Sequence, residues 1–291
     1  MTARDLGGRT DDLAQTVVSV LYALVHSNVF IAVAATSWVG ITVMLVGLPL
    51  DPLPPAIVFA VTLFVYSFNR FTDIDEDEYN LPGRVAFTRR YGRFLLAAGT
   101  LAYAATVVVA VALDVPRAEF LAAPLVVAVL YYVVGLKRLL LVKNLLVGVS
   151  WGAIPLGTGI YYGVASDVEI VVLAGYVTAM LTVAAVVFDV KDIEGDRLEG
   201  IRTIPQVVGV QATRFGAVAS SAAVAGVVLV AVGSGLLPGR YLTLLAFNAY
   251  VCGYSWVAKP DAGPLFYGFV VDGEHLFLAV VVFVTARLGL L

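Results

Sequence analysis

The sequence predicts an all-α integral membrane protein: one bundle of nine transmembrane helices over residues 1–291, with two Asp-rich motifs at its cytoplasmic face. Of the 291 residues, 60% are hydrophobic and only 13% are charged, whereas soluble domains contain about 45–50% apolar and about 25% charged residues. The chain therefore has too few charges to cover a soluble surface. Its net charge of −3 gives nucleic acid no overall attraction.

Nine apolar stretches predict the transmembrane helices, because each approaches the about 20 residues that a helix needs to cross a bilayer. The stretches cover residues 28–48, 54–71, 94–112, 118–136, 144–163, 169–189, 216–233, 241–257 and 273–291. Asp5, Asp11 and Asp12 stand where a signal peptide would carry basic residues. Residues 13–24 are therefore interpreted as an interfacial segment or as an extension of the first span.

The basic residues indicate the orientation of the bundle. With nine spans, 15 of the 18 Lys and Arg residues fall on one side of the membrane, and only Arg117, Arg240 and Arg287 fall on the other. Cytoplasmic loops carry an excess of basic residues. The N-terminus and the loops after spans two, four, six and eight are therefore predicted to be cytoplasmic.

A first acidic cluster lies at the C-terminal end of the second predicted span. Asn69, Asp73 and Asp77 are spaced four residues apart, so a helix places them along one stripe. Their oxygen atoms are hard ligands of the kind that suit Mg²⁺, which typically binds one or two carboxylates together with substrate phosphates.

A second acidic cluster begins at the C-terminal end of the sixth predicted span. Asp189, Asp192 and Asp196 have the spacing of one helical face, and basic residues lie among them or in the loop after span four. This combination suits a metal–diphosphate complex. The carboxylates bind the cation, the cation bridges oxygen atoms, and the basic groups neutralise the remaining charge. Taken alone, either cluster is also compatible with solvated helix caps.

These two motifs resemble those of the UbiA superfamily of intramembrane prenyltransferases. That family carries Asn-x-x-x-Asp-x-x-x-Asp after its second helix and a further Asp-rich motif after its sixth. The first motif here continues through Asn80, Pro82 and Arg84, and the second extends from residue 189 to Gly209. Two positions depart from the pattern: Arg70 follows Asn69 where many members have Asp, and His26-Ser27-Asn28 replaces an Arg-Pro pair.

The resemblance implies transfer of a polyprenyl group from its diphosphate to a lipophilic acceptor such as a quinone precursor, within the membrane lipids. Mg²⁺ would hold the diphosphate between the motifs, and an allylic carbocation would alkylate the acceptor. The implied metal ligands are Asn69, Asp73, Asp77, Asp189, Asp192 and Asp196, of which Asp73, Asp77, Asp192 and Asp196 are the catalytic residues. The implied substrate-binding residues are Asn69, Arg84, Lys143, Lys191, Arg197 and Arg202.

The sequence leaves several alternatives open. Four classes of acceptor are compatible with the sequence: a quinone precursor, a glycerol-phosphate lipid, a porphyrin or a carotenoid end group. Two other functions are compatible as well, those of a terpene cyclase and of a transporter. Arg outnumbers Lys 14 to 4, which hints at a halophilic archaeon and hence a C20 donor. His26 and the cluster of Asp272, Glu274 and His275 are either structural or contacts to substrate. The same holds for the aromatic residues Phe64, Phe68, Tyr131, Tyr132, Trp151, Tyr161 and Tyr162.

Overall fold

The computed structural model describes residues 3–74, 78, 82–128, 130–131, 139–198 and 200–291, with side chains from residue 15 onward. These parts of the chain are helical and contain no β-strand. The α-helices are α1 (Ala3–His26), α2 (Val29–Val46), α3 (Leu53–Thr72), α4 (Pro82–Ala112), α5 (Ala123–Ala128), α6 (Val142–Tyr161), α7 (Val168–Phe188), α8 (Ile193–Leu198), α9 (Ile204–Gly233), α10 (Leu244–Val257) and α11 (Glu274–Arg287). Short 3₁₀ helices, Ala118–Ala122 and Gly239–Thr243, precede α5 and α10, and a π-helix, Phe266–Val271, precedes α11.

Six helical segments in the described part of the chain are long and apolar enough to cross a membrane. They are Val29–Val46, Leu53–Thr72, Pro82–Ala112, Val168–Phe188, Ile204–Gly233 and Phe266–Arg287. Two of the other three predicted spans correspond to α6 and to the 14-residue α10. The third, predicted for residues 118–136, contains α5, but residues 129 and 132–138 lie outside the described residues. The protein is therefore a multi-pass helical membrane protein.

Two helices begin well before the predicted spans. α4 starts at Pro82 rather than at residue 94, and α9 starts at Ile204 rather than at residue 216. Hydropathy marks only the apolar part of a helix, whereas the backbone hydrogen bonds continue into the polar end. Within α9 the helix bends at Gly209, where φ is 82°. A residue with a Cβ is strained at such an angle, which accounts for a glycine at this position.

Helices α6 and α7 approach each other closely along two glycines. A Cβ added at Gly148 would lie 2.1 Å from Thr182 Oγ1, and one at Gly152 would lie 2.0 Å from Thr178 Oγ1. Glycines four residues apart allow two helix backbones to approach closely, and this is a common packing device in membrane helices. The contact aligns α6 with α7, whose adjacent ends carry the second motif and Lys143.

We expect Gly152→Ala to lower the thermal midpoint of unfolding, since overpacking a close contact costs about 1–3 kcal/mol. Gly157→Ala is the matched control in the same helix, because a Cβ there meets nothing within 4 Å, and it should raise the midpoint or leave it unchanged. Tryptophan fluorescence of the detergent-solubilised variants during heating measures both. An equal or higher midpoint for Gly152→Ala would show that this contact is not tight.

One end of the bundle carries a separate polar cluster. Arg240 pairs with Glu169 at the start of α7 (2.8 Å) and donates to the backbone carbonyl of Leu45 at the end of α2. The Tyr241 hydroxyl also donates to Glu169 (2.9 Å). We call this the Glu169 end. Since α7 begins here, its other terminus and the second motif lie at the opposite end of the bundle, which we call the motif end.

Candidate active site at the motif end of the bundle

The motif end is built from the termini of several helices. α3 and α7 end there, and α4, α6 and α11 begin there. Polar side chains at the ends of membrane helices are costly unless they are paired, and they commonly mark functional sites. The contacts of these side chains therefore show what the site can bind.

Lys143 joins two carboxylates of the second motif. Its ammonium group lies 3.0 Å from Asp189 and 3.0 Å from Asp196, and the Asn144 side-chain amide donates to the second oxygen of Asp189 (2.9 Å). Both carboxylates are buried. The start of α6 thus holds the second motif in place, and Lys143, which was predicted to bind phosphate, contacts carboxylates here.

The burial of Asp196 makes its charge depend on this pairing. Burial raises the pKa of Asp196, the ammonium of Lys143 lowers it, and the neighbouring charge of Asp192 raises it, with a net increase above the ordinary value. Desolvation disfavours the charged carboxylate, and a cation within a few ångströms restores it. Lys143 is therefore the main group that opposes the rise in the pKa of Asp196 caused by burial.

Asp192 lies on a different part of the motif from its two neighbours. α7 ends at Phe188 and α8 begins at Ile193, so the three carboxylates do not form one continuous helical stripe, because a turn separates Asp189 from α8. Asp192 is partly exposed and forms an ion pair with Lys191. The Lys191 ammonium also lies 5.7 Å from the centre of the Phe188 ring and 5.9 Å from that of Tyr267.

The first motif lies at the end of α3. Asn69 is in the last turn of that helix, and Asp73 follows it with its backbone N–H donating to the Asn69 carbonyl (2.9 Å). Both side chains are partly exposed, and Asp77 lies outside the described residues. Within the described part of the chain, no three carboxylate, imidazole or thiolate side chains are grouped closely enough to hold a metal ion.

Asp272 lies at the same end of the bundle as the two motifs. It follows the π-helix before α11, and the Lys191 ammonium lies 5.9 Å from the centre of the Tyr267 ring in that π-helix. Arg70 belongs to the first motif, Arg84 is buried at the start of α4, and Lys191 belongs to the second motif. Basic side chains of both motifs therefore lie at the end of the bundle where α11 begins.

Two predicted substrate-binding residues lie apart from this group. Arg197 is exposed and pairs with the exposed Glu194 (2.5 Å), and Arg202 is also exposed. Adjacent residues on a helix point about 100° apart, so the inward orientation of Asp196 directs Arg197 outward.

The remaining polar candidates form a buried structural core. Trp38 donates to His275 Nδ1 (3.0 Å), and Trp151 stacks on the same imidazole with 4.3 Å between ring centroids. Glu274 accepts a hydrogen bond from Tyr254 (2.8 Å), and its other oxygen lies 3.8 Å from His275 Nε2. With both nitrogen atoms of His275 facing protein groups, we assign the histidine to packing α11 against α2 and α6.

Other candidates have equally defined surroundings. His26 is buried, with its ring 5.6 Å from that of Tyr22 and 5.7 Å from that of Phe87. Tyr161 donates to Asp51, and Tyr162 donates to the carbonyl of Pro49. Both tyrosines therefore lie near the start of α3, far along that helix from the first motif. Tyr132 lies outside the described residues.

Comparison with known proteins agrees with this architecture. Residues 13–264 match the UbiA prenyltransferase family. A digeranylgeranylglyceryl phosphate synthase from Methanoculleus marisnigri is 27% identical over 174 residues, a match that spans 55% of this chain and 59% of that relative. A protein of the same name from Natronomonas pharaonis is 30% identical over 249 residues, covering 81% of this chain and 86% of that protein.

Solved structures share the fold. The apo structure of a UbiA homologue from Aeropyrum pernix has a TM-score of 0.65 at 18% identity and covers 89% of this chain and 98% of its own. A structure of digeranylgeranylglyceryl phosphate synthase has a TM-score of 0.53 at 16% identity, covering 94% and 98%. This chain therefore shares the helical-bundle fold of these two structures. The chain belongs to the UbiA prenyltransferase family.

Proposed function

We propose that the protein transfers a geranylgeranyl group from geranylgeranyl diphosphate to a glyceryl phosphate lipid that already bears one such group, with release of diphosphate. The observation that carries this proposal is the position of Arg70, Arg84 and Lys191 at one end of an apolar bundle: Arg70 ends α3, Arg84 lies at the start of α4, and Lys191 follows α7. A diphosphate there is neutralised by basic groups of both motifs, while the prenyl chain extends among apolar helices. The names of the similar archaeal enzymes favour this acceptor over a quinone precursor.

Mg²⁺ is the proposed metal, and the side chains present fit it. Asp73 and Asp192 are partly exposed, hard oxygen donors, and Mg²⁺ in such sites needs only one or two carboxylates together with substrate phosphates. Asn69 and Asp77 would supply further oxygen ligands to the metal. Asp189 and Asp196 are already bonded to Lys143 and Asn144, so their proposed part is to fix the second motif. Bound Mg²⁺ would stabilise the negative charge that develops on the leaving diphosphate.

The chain's own residues account for the rest of the mechanism. The three basic side chains neutralise the diphosphate as the C1–O bond breaks and its electron pair moves onto the diphosphate. The apolar interior keeps water from the allylic cation. The acceptor oxygen then bonds to C1, and its proton passes to the released diphosphate.

The proposed topology retains nine spans with the motif end in the cytoplasm. α6 has 20 residues, and α10 with its preceding 3₁₀ helix covers 239–257, lengths close to the about 20 residues that a span requires. Arg240 lies at the Glu169 end, whereas Lys143 and Lys191 lie at the motif end. This distribution supports a cytoplasmic motif end under the positive-inside rule.

We expect proteoliposomes supplied with geranylgeranyl diphosphate, geranylgeranylglyceryl phosphate and Mg²⁺ to form digeranylgeranylglyceryl phosphate, as detected by mass spectrometry. EDTA should stop the reaction, and added Mg²⁺ should restore it. Product formed only from an aromatic quinone precursor would overturn the proposed acceptor. A hydrocarbon product in the absence of any acceptor would identify a cyclase instead.

A further inference from the structure

The carboxylate oxygens of Asp189 and Asp196 all have partners at the start of α6. The Lys143 ammonium lies 3.0 Å from Asp189 Oδ1, and it donates to both oxygens of Asp196, at 3.2 and 3.0 Å. The remaining oxygen, Asp189 Oδ2, accepts a hydrogen bond from the side-chain amide of Asn144 (2.9 Å). Two adjacent residues of α6 therefore use the whole ligand capacity of these two aspartates.

The Lys143 ammonium occupies the position that a metal ion bridging these carboxylates would take. Asp189 follows the end of α7 and Asp196 lies in α8, so the ammonium joins two separate helices. The Asp196 side chain is fully buried, and that of Asp189 is 6% exposed. Mg²⁺ gives up its water ligands reluctantly and usually keeps several of them. A hydrated ion therefore has no access to these oxygens while Lys143 is in place.

Asp192 differs from both of these aspartates. Its side chain is 19% exposed, and its ion pair with Lys191 uses one carboxylate oxygen, Oδ2. Of the three aspartates at positions 189, 192 and 196, Asp192 is therefore the one that a hydrated Mg²⁺ can reach. Together with the partly exposed Asp73 of the first motif, it provides the one or two carboxylates that a single Mg²⁺ needs beside substrate phosphates.

We propose that Lys143 is a built-in cation that takes the place of a second Mg²⁺ in the second motif, so that the site binds one Mg²⁺ with each diphosphate. This inference rests on the proposed function, since it takes diphosphate to bind there with Mg²⁺. Lys143 is a positioning residue that holds Asp189 and Asp196 together. Because the ammonium belongs to the chain, the second motif keeps its shape whether or not substrate and metal are bound.

Counting bound metal ions tests the inference without turnover. Mn²⁺ serves as the probe, because it shares the preference of Mg²⁺ for oxygen ligands. Equilibrium dialysis of the full-length protein in phosphatidylcholine nanodiscs, with inorganic diphosphate present and empty nanodiscs as background, gives the number of Mn²⁺ ions per chain. We expect one ion for the wild type and two for Lys143→Ala, which removes the ammonium and leaves room for a hydrated cation between two uncompensated carboxylates. Lys259→Met removes an exposed lysine and is the matched control, with one ion expected.

Two substitutions that preserve side-chain size keep the test decisive if Lys143→Ala fails to fold. Asp196→Asn should still bind one Mn²⁺ with wild-type affinity, because the oxygens of Asp196 face Lys143, whereas Asp192→Asn should weaken the binding of that ion. Two ions bound by the wild type, one ion bound by folded Lys143→Ala, or loss of Mn²⁺ from Asp196→Asn would each overturn the inference. Absence of diphosphate-dependent Mn²⁺ binding by the wild type would instead overturn the proposed function.

Discussion

Asp73→Asn and Asp192→Asn should each lower kcat for prenyl transfer by about 100- to 1000-fold, the range expected when one preorganised electrostatic contact to a developing charge is lost. Each change keeps the size of the side chain and removes its negative charge. Both side chains are partly exposed and lie at helix ends rather than in the packed core. The loss should therefore appear in kcat with little change in the thermal midpoint.

The same assay contains its own control. Asp261→Asn removes a carboxylate from the loop before the π-helix, where the side chain is exposed, and should retain wild-type turnover. Near wild-type turnover in Asp73→Asn or Asp192→Asn would remove that residue from the mechanism.

The second large effect is expected on stability. Lys143→Met leaves the buried carboxylates of Asp189 and Asp196 without their shared cation, and removing one partner of a buried ion pair costs about 3–5 kcal/mol. We expect a marked fall in the thermal midpoint, with prenyl transfer lost because the second motif is displaced. Thermal unfolding in detergent, followed by tryptophan fluorescence, measures the change.

Two further variants test the cause of this destabilisation. Adding Asp196→Asn to Lys143→Met removes one of the two uncompensated charges and should recover part of the lost stability. Lys259→Met removes an exposed lysine and should leave the midpoint unchanged. A Lys143→Met protein as stable as the wild type would show that the ammonium does not hold the two carboxylates together.

The membrane class, the family and the location of the second motif could be predicted from the sequence because they depend on local patterns. Apolar stretches identify membrane helices wherever they occur in the chain. Asp189 and Asp196 do lie together, as their spacing indicates, but the prediction that they share one helical face with Asp192 was wrong. The chain turns between α7 and α8, and Lys143 rather than helical geometry brings the two carboxylates together.

The surroundings of the acidic residues before α11 could not be predicted because they depend on tertiary packing. The sequence pattern does not distinguish Asp272 from Glu274, whereas the fold buries Glu274 and bonds it to Tyr254. Arg197 shows the opposite case: it is next to Asp196 in the sequence, yet its exposed side chain pairs with Glu194.

We propose that a single diphosphate binds between the two motifs at the motif end of the bundle. The most direct test is a structure of the protein with Mg²⁺ and an unreactive thiodiphosphate analogue of the prenyl donor. We expect the headgroup to contact Arg70 or Asp73 on one side and Lys191 or Asp192 on the other. A headgroup bound to one motif alone, or at the Glu169 end, would contradict the account.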